Sequence, residues 1–239
     1  MPGTHYIALS GLRARADDLD RLAADIANAS TIGYKGERAS RAAAERASFG
    51  DQLKTAIDAT SGERRLDVRP GLINATGRSL DVAIDGDGFF SIQTDEGVRY
   101  TRDGRFTKSA SGQLVTADGD EVLGTGGPIA LGDGEIRVDG DGTVWNGATK
   151  AGQLAVVEFD EPARLARDRS SLLRADGMDA KASTTRTIRA GALEQSNVTM
   201  SDRLAELVQV SRGMEALQKA LSLVMNDVDG KAIEQFGRR

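Results

Sequence analysis

Hydrophobic side chains recur near the start of the chain at intervals of three and four residues: Leu9, Leu12, Ala16, Leu19, Ala23 and Ile26. That spacing is the seam of a helix packed on other helices, and it predicts a helix over 4–28. Asp17, Asp18, Asp20 and Arg21 lie mostly off the seam. The pattern runs out in Thr31, Ile32, Gly33 and Tyr34, where Gly33 offers a backbone conformation that other residues resist. No helix close by in sequence can cover the stripe.

Residues 36–52 are rich in Ala and charge but carry only a thin apolar stripe, which reads as marginal helix or extended linker. Residues 60–77 hold Pro70 and several glycines and read as extended connection. From about 80 to 189 the period becomes two. Leu80, Val82 and Ile84 alternate, a turn falls at 85–88, and Phe89, Phe90 and Ile92 resume the run. Further turns are expected at 103–104, 111–112 and 118–119, with strands near 134–138, 143–145 and 153–159. Short strands between frequent turn signals, without helices alternating between them, predict an antiparallel sandwich or barrel rather than a nucleotide-binding sheet.

Helical periodicity then returns over about 201–230. Leu207, Met214, Leu221 and Val228 stand seven apart, and Val210, Leu217 and Val224 fill the alternate positions. The partner of the first helix is therefore expected at the far end of the chain. A two-helix pair still leaves part of each stripe in water, which further copies would cover. Burying one Leu contributes roughly 1.5–3 kcal/mol, so the termini are expected to order firmly only when copies meet. The fold class is α+β: long N- and C-terminal helices in a coiled-coil-like region, plus a central antiparallel β-rich domain. Its expected divisions are 1–35 for the first helix, 36–76 for a linker, 77–190 for the β-rich domain and 191–239 for the last helix.

Composition narrows the function. Of 239 residues, 39% are hydrophobic and 28% charged, as in ordinary folded protein, but aromatics are only 4% and glycines number 28. A modest, turn-rich β core fits this better than a large aromatic-lined one. The net charge of -5 argues against a nucleic-acid partner. Cysteine is absent, which removes disulfides and thiolate chemistry. The first residues meet Arg and Asp too soon for a secretory signal, and no apolar run of about 18 residues suggests a membrane span.

Chemistry finds little material. The one histidine is His5, so neither a Ser-His-Asp arrangement nor a histidine metal site is expected. Asp85, Asp87, Asp118, Asp120, Asp133, Asp139 and Asp141, mostly beside Gly, invite a calcium reading. No window supplies the five or more converging ligands that calcium needs, so hairpin turns are expected there. Gly124 to Pro128 lacks the lysine of a phosphate loop. No enzyme activity, cofactor, metal or small-molecule substrate is expected.

Three blocks carry a resemblance. "ADIANASTIGYK" closes the first helix, with Asp25 where Asn is usual; "GLINATGRSLDVAIDGDGFFSIQTDEGVRYTRDGRFTKSASGQLVTADG" fills the middle; and "GALEQSNVTMSDRLAELV" leads into the last helix. In this order they resemble the bacterial flagellar axial family, the rod and hook proteins of the basal body. The short central domain and the ending "AIEQFGRR" look most like the proximal rod branch, with the distal rod branch next and the longer hook proteins further away. The resemblance implies a subunit exported by the flagellar type III apparatus without a cleaved signal. It would polymerise in the periplasm with copies of itself and other rod proteins, terminal helices forming an inner tube and the β domain facing outward. The expected assembly interface is Leu9, Leu12, Leu19, Ile26, Asn28, Thr31, Gly33, Tyr34, Leu207, Val210, Met214, Leu217, Leu221, Val224 and Val228. Tyr34 is assigned to a subunit contact because its ring and hydroxyl both need partners. Gly33 and Lys35 can also be read as a helix stop and a cation at the helix dipole. Arg102, Arg105 and Tyr100 suit either a neighbouring subunit or a solvated sheet face. The alternative from another class is a free-standing β-sandwich binding module, for sugar or calcium, on a helical dimerisation stalk.

Overall fold

The computed structural model describes residues 2–39, 64–169, 171–183 and 187–236, with side chains described from residue 11 and, along the last helix, through Lys219 and at Ser222. Two compact units share the chain. One holds helix α1 (Pro2–Ala27) up to Ile26 and helix α2 (Met200–Phe236); the other holds 27–38 and 65–199. Among the described residues these are the two α-helices, beside one 3-10 turn at Pro162–Arg164. The fold is α+β, with the helices at the two ends of the chain and the strands between them.

α1 stops at Ala27 without a glycine cap. Thr31 closes a turn on Asn28 twice, its N–H donating to the Asn28 carbonyl (3.0 Å) and its hydroxyl to Asn28 Oδ1 (3.1 Å). Polar side chains that bond nearby backbone or each other in this way compete with helix continuation. Gly33, at φ 67°, sits in a second turn beyond this one and is not the helix cap.

The largest sheet contains ten strands. Its main path runs Ala166–Arg167, Leu172–Arg174, Gly97–Thr101, Phe89–Thr94, Glu121–Gly124, Leu114–Val115, Thr107–Lys108, each pair antiparallel. A second, three-stranded sheet is a meander of Ile136–Val138, Thr143–Asn146 and Thr149–Gln153. Phe90, Ile92 and Val122 of the large sheet share one core with Val138 and Val144 of the small one. The neighbouring residue Phe89 points to the other face and joins a second cluster with Leu66, Phe159, Leu165 and Leu173. The central strand is thus buried on both faces, which is why its run "FFSI" is apolar almost without alternation.

Turns at 111–112, 118–119 and 141–142 close hairpins, with Gly112, Gly119 and Gly142 at positive φ. The turn at 85–88 does not. Val82–Asp85 pairs with Thr187–Ala190, whereas Phe89–Thr94 pairs with Gly97–Thr101, so here the chain changes sheets. Ile73–Ala75 pairs with Ala192–Glu194 in the same manner, and Arg64–Leu66 pairs with Glu37–Ala39. The described part of the expected linker 36–76 is therefore strand-paired at three places; residues 40–63 lie outside the described residues.

Phe90 is fully buried and meets Phe106 edge-on at 5.2 Å between ring centroids. Phe90→Ala is expected to lower stability by about 3–5 kcal/mol. Val98→Ala, at a residue 40% exposed, is expected to be nearly neutral, and urea unfolding of the two variants checks the contrast.

Candidate assembly interface

The segment after α1 folds back onto the β-rich unit through one carboxylate. Glu194, 1% exposed, ends its strand and accepts Lys35 Nζ on Oε1 at 2.6 Å, Gly71 N–H on the same oxygen at 2.8 Å, and Arg102 Nη1 on Oε2 at 3.1 Å. Its carbonyl accepts the N–H of Gly33 at 2.8 Å. Lys35 also donates to the Arg69 carbonyl at 2.8 Å, and Arg102 to the carbonyls of Ile84 and Gly86. Asn197 completes the join. Its Oδ1 accepts Gly36 N–H at 2.8 Å, while its Nδ2 donates to the carbonyls of Asp67 and Arg69.

Gly33 is required here by space as well as by φ. A Cβ at that position would stand 2.2 Å from the backbone nitrogen of Asp103 and 2.4 Å from the carbonyl carbon of Arg102. Tyr34, expected at a subunit contact, is 1% exposed within the chain, its ring under the Arg167 guanidinium at 4.1 Å. Arg167 also donates to the Lys35 carbonyl and, through Nε, to Glu37. Lys35 is not at the helix dipole but in this buried cluster. Arg102 is likewise buried, and so faces neither solvent nor a neighbour; Tyr100 packs edge-on against Phe159, and Arg105 forks onto Asp103. Sequence reasoning missed Glu194, Arg167 and the clamping role of Asn197. The one available signal was a charged residue, Glu194, in an otherwise apolar strand.

Burial dominates the cations. It pulls Lys35 below its ordinary value against the opposing pull of Glu194, and it lowers Arg102 in the same way. Asp67 shows the opposite balance. Burial alone would raise it, but hydrogen bonds from Arg69 and the nearby charges of Arg38 and Arg69 hold it below the ordinary 3.8.

Ion pairs and apolar contacts both join the two helices. Arg203 Nε meets Asp25 Oδ2 at 3.1 Å, Arg21 Nη2 meets Glu206 Oε1 at 3.4 Å, and Leu217 lies 3.5 Å from where a Cβ on Gly11 would stand. As position rises on α1 it falls on α2, so the helices run antiparallel. Gly11, Arg21, Leu22 and Asp25 share the α1 face on this side, and Leu22 and Asp25 are the most buried side chains described on the helix. At about 100° per residue, the stripe of Leu12, Ala16, Leu19, Ala23 and Ile26 points roughly a quarter-turn away. Ala23 is exposed, and the other four are half-buried. On α2 the expected seam does face α1: Val210 is buried, with Leu207, Met214 and Leu217 half-buried. Asn28 and Thr31 are half-buried in the turn after α1. The side chains of Leu9, Leu221, Val224 and Val228 lie outside those described.

The aspartates of the calcium reading are spread among separate partners: Asp85 with Arg189, Asp120 with Arg169, Asp133 with Lys108, Asp139 with Trp145 Nε1, and Asp141 with Thr143. Among the described residues no group of acidic or histidine side chains converges on a metal position. The His5 side chain lies outside those described. No helix among the described residues is long and apolar enough to cross a membrane.

Glu194→Gln removes the carboxylate bonded to two buried cations and is expected to cost about 3–5 kcal/mol. Lys35→Met combined with Glu194→Gln should cost less than the sum of the single changes, as urea unfolding of all three variants measures. Asp67 contributes to the acid limb, along with Asp141, Asp176 and Glu206, which are lowered in the same direction. The folded Asp67 carboxyl holds its proton less tightly than the unfolded one, so its stabilisation is whole above pH 3.8 and is lost as pH falls through the lower folded value. Asp67→Asn should flatten the fall in stability below pH 3.8, read from unfolding midpoints against pH.

Residues 83–146, which carry the central strand and Arg102, match the family model described as the flagellar hook protein FlgE/F/G D1 domain. Full-length similarity extends further. The chain is 36% identical over 247 residues to the flagellar basal-body rod protein FlgF of Rhizobium meliloti, covering 97% of each chain. It is 33% identical to FlgF of Caulobacter vibrioides, covering 100% of this chain and 99% of that one. To the rod protein FlgG of Bacillus subtilis it is 31% identical, over 91% and 93% of the two chains. Because both helices and the β-rich unit fall inside these matches, the chain belongs to the family of flagellar basal-body rod proteins.

Proposed function

We propose that this chain is a structural subunit of the flagellar basal-body rod, in the proximal branch that FlgF represents. Its terminal helices pack in a coiled-coil-like manner with those of neighbouring copies and other rod proteins, forming an inner tube that transmits torque, while the β-rich unit faces outward. It reaches the periplasm through the flagellar type III export apparatus without a cleaved signal. Relatives of matching length named as rod proteins support the assignment. The observation that carries the mechanism is the α1 stripe. Leu12, Leu19 and Ile26 keep the spacing of a packing seam while turned away from α2.

The assembly surface is accordingly read as the exposed flank of the helices. Asn28, Gly33, Tyr34 and Lys35, in the segment after α1, serve it from within, by fixing where the helix leads leave the β-rich unit. Stiffness follows from dense apolar seams among many copies, which resist sliding.

The test is assembly of the full chain. Wild-type protein is expected to form open-ended, concentration-dependent polymers in sedimentation velocity. Leu19→Asp should weaken each contact by at least about tenfold and leave the unfolding transition of the β-rich unit unchanged. A closed oligomer of fixed size, or polymers indifferent to Leu19→Asp, would count against the reading.

A further inference from the structure

The hairpin that joins Thr143–Asn146 to Thr149–Gln153 turns through Gly147 and Ala148, and it places Asn146 immediately before a glycine. The other asparagines of the sequence, Asn28, Asn74, Asn197 and Asn226, precede Ala, Ala, Val and Asp. That order matters chemically. The backbone nitrogen after an asparagine can attack the side-chain carboxamide, and the side chain of the following residue is the main obstacle to its approach. Glycine removes the obstacle and lets the backbone reach the reacting conformation.

The fold opposes each part of that reaction. Gly147 N–H donates to the Glu135 carbonyl at 2.8 Å, so the attacking nitrogen is already engaged. Asn146 Oδ1, where the negative charge of the tetrahedral intermediate would develop, is buried and accepts no hydrogen bond among the described residues. The carboxamide is also wedged against the backbone of 132–134. A Cβ on Gly132 would stand 2.4 Å from its Nδ2, and one on Gly134 2.7 Å from its Oδ1.

We propose that Asn146 is a deamidation site, kept silent by the folded meander and released when the hairpin opens. In the opened chain the Gly147 nitrogen gives its proton to solvent and bonds to Asn146 Cγ; the Cγ–Nδ2 bond breaks, ammonia leaves and a five-membered imide remains. Water then adds to one of the two imide carbonyls, yielding aspartate or isoaspartate. The sum is asparagine plus water to aspartate plus ammonia, with nothing oxidised or reduced. Neither product suits the native hairpin. Aspartate puts a charge where Oδ1 is buried without a donor, and isoaspartate adds a carbon to the main chain and upsets the pairing of residue 146 with Thr149. The change is thus a lasting mark on chains that have stayed open, whatever the chain's role in a rod.

The test uses the full-length protein in mildly alkaline buffer, folded and in guanidinium chloride, with mass spectrometry of the tryptic peptide 138–150 over time. Deamidation at Asn146 is expected to run at least about tenfold slower in the folded chain, because only its opened fraction reacts. Equal rates, or no reaction in denaturant, would overturn the proposal, and this comparison needs no variant. Gly134→Ala adds a methyl that meets the carboxamide and is expected to speed the reaction several-fold in chains that circular dichroism shows to be folded. Gly132→Ala acts from the other side of the wedge and replaces it where the first variant does not fold. Folded variants that deamidate no faster than wild type would show that the wedge is not the shield. On return to buffer, modified chains should gather in the fraction that fails to regain its structure; an even spread between the fractions would refute the mark.

Discussion

A carboxylate withdrawn from water must find cations and donors to replace its hydration, and Glu194 imposes that demand at the point where both ends of the chain meet the β-rich unit. Its two oxygens and its carbonyl take groups from Gly33, Lys35, Gly71 and Arg102. Those residues come from well-separated stretches of sequence, and satisfying one carboxylate fixes all of them relative to one strand end. Asn197, three residues on, ties the same region again through Gly36, Asp67 and Arg69. The lead out of α1 and the lead into α2 therefore lie side by side. A buried ionic cluster contributes little net stability compared with apolar packing, so what this one supplies is placement. The close backbone approach at Gly33 and at Gly71, where a Cβ would come 2.0 Å from the Gln195 carbonyl oxygen, belongs to the same geometry.

The helices show a division of labour that follows from the energies involved. Exposed and partly exposed ion pairs contribute roughly 0–1 kcal/mol each, whereas apolar burial contributes roughly 25 cal/mol per Å². Within the chain, the ion pairs of Arg21 with Glu206 and of Arg203 with Asp25 fix the register and direction of α1 on α2, beside the buried Leu22 and Val210. Apolar burial along the α1 stripe is, in the proposed reading, the driving force for contacts between copies. Arrangement and attraction thus reside in different residues.

Much of this was legible in the chain's periodicities, and the rest failed for definite reasons. Period 3.5 marked both helices and period 2 marked the strands, because each element's geometry repeats on that scale. On α2 the seam also faced the expected partner. On α1 it did not, since spacing reveals that a stripe exists but not what lies opposite it. Lys35 looked like a cation at a helix end because its true partner is 159 residues away. Tyr34 looked like a contact residue because an aromatic hydroxyl needs company, and sequence could not show that Arg167 covers its ring. The turn at 85–88 was visible in its glycines, but a turn signal carries no information about which strands pair across it. Long-range partners, not local conformation, are what stayed hidden.

That distance along the chain has a consequence for the order of events. Joining Lys35 to Glu194 closes a loop spanning most of the sequence, and loop-closure entropy is offset only after intervening segments have folded and shortened the effective path. Strand pairing of 73–75 with 192–194 and of 82–85 with 187–190 does that shortening. The bond from Lys35 to Glu194 is therefore expected to close after the β-rich unit forms. Until then only the contacts of α1 with α2, such as Arg21 with Glu206 and Arg203 with Asp25, relate the two ends of the chain.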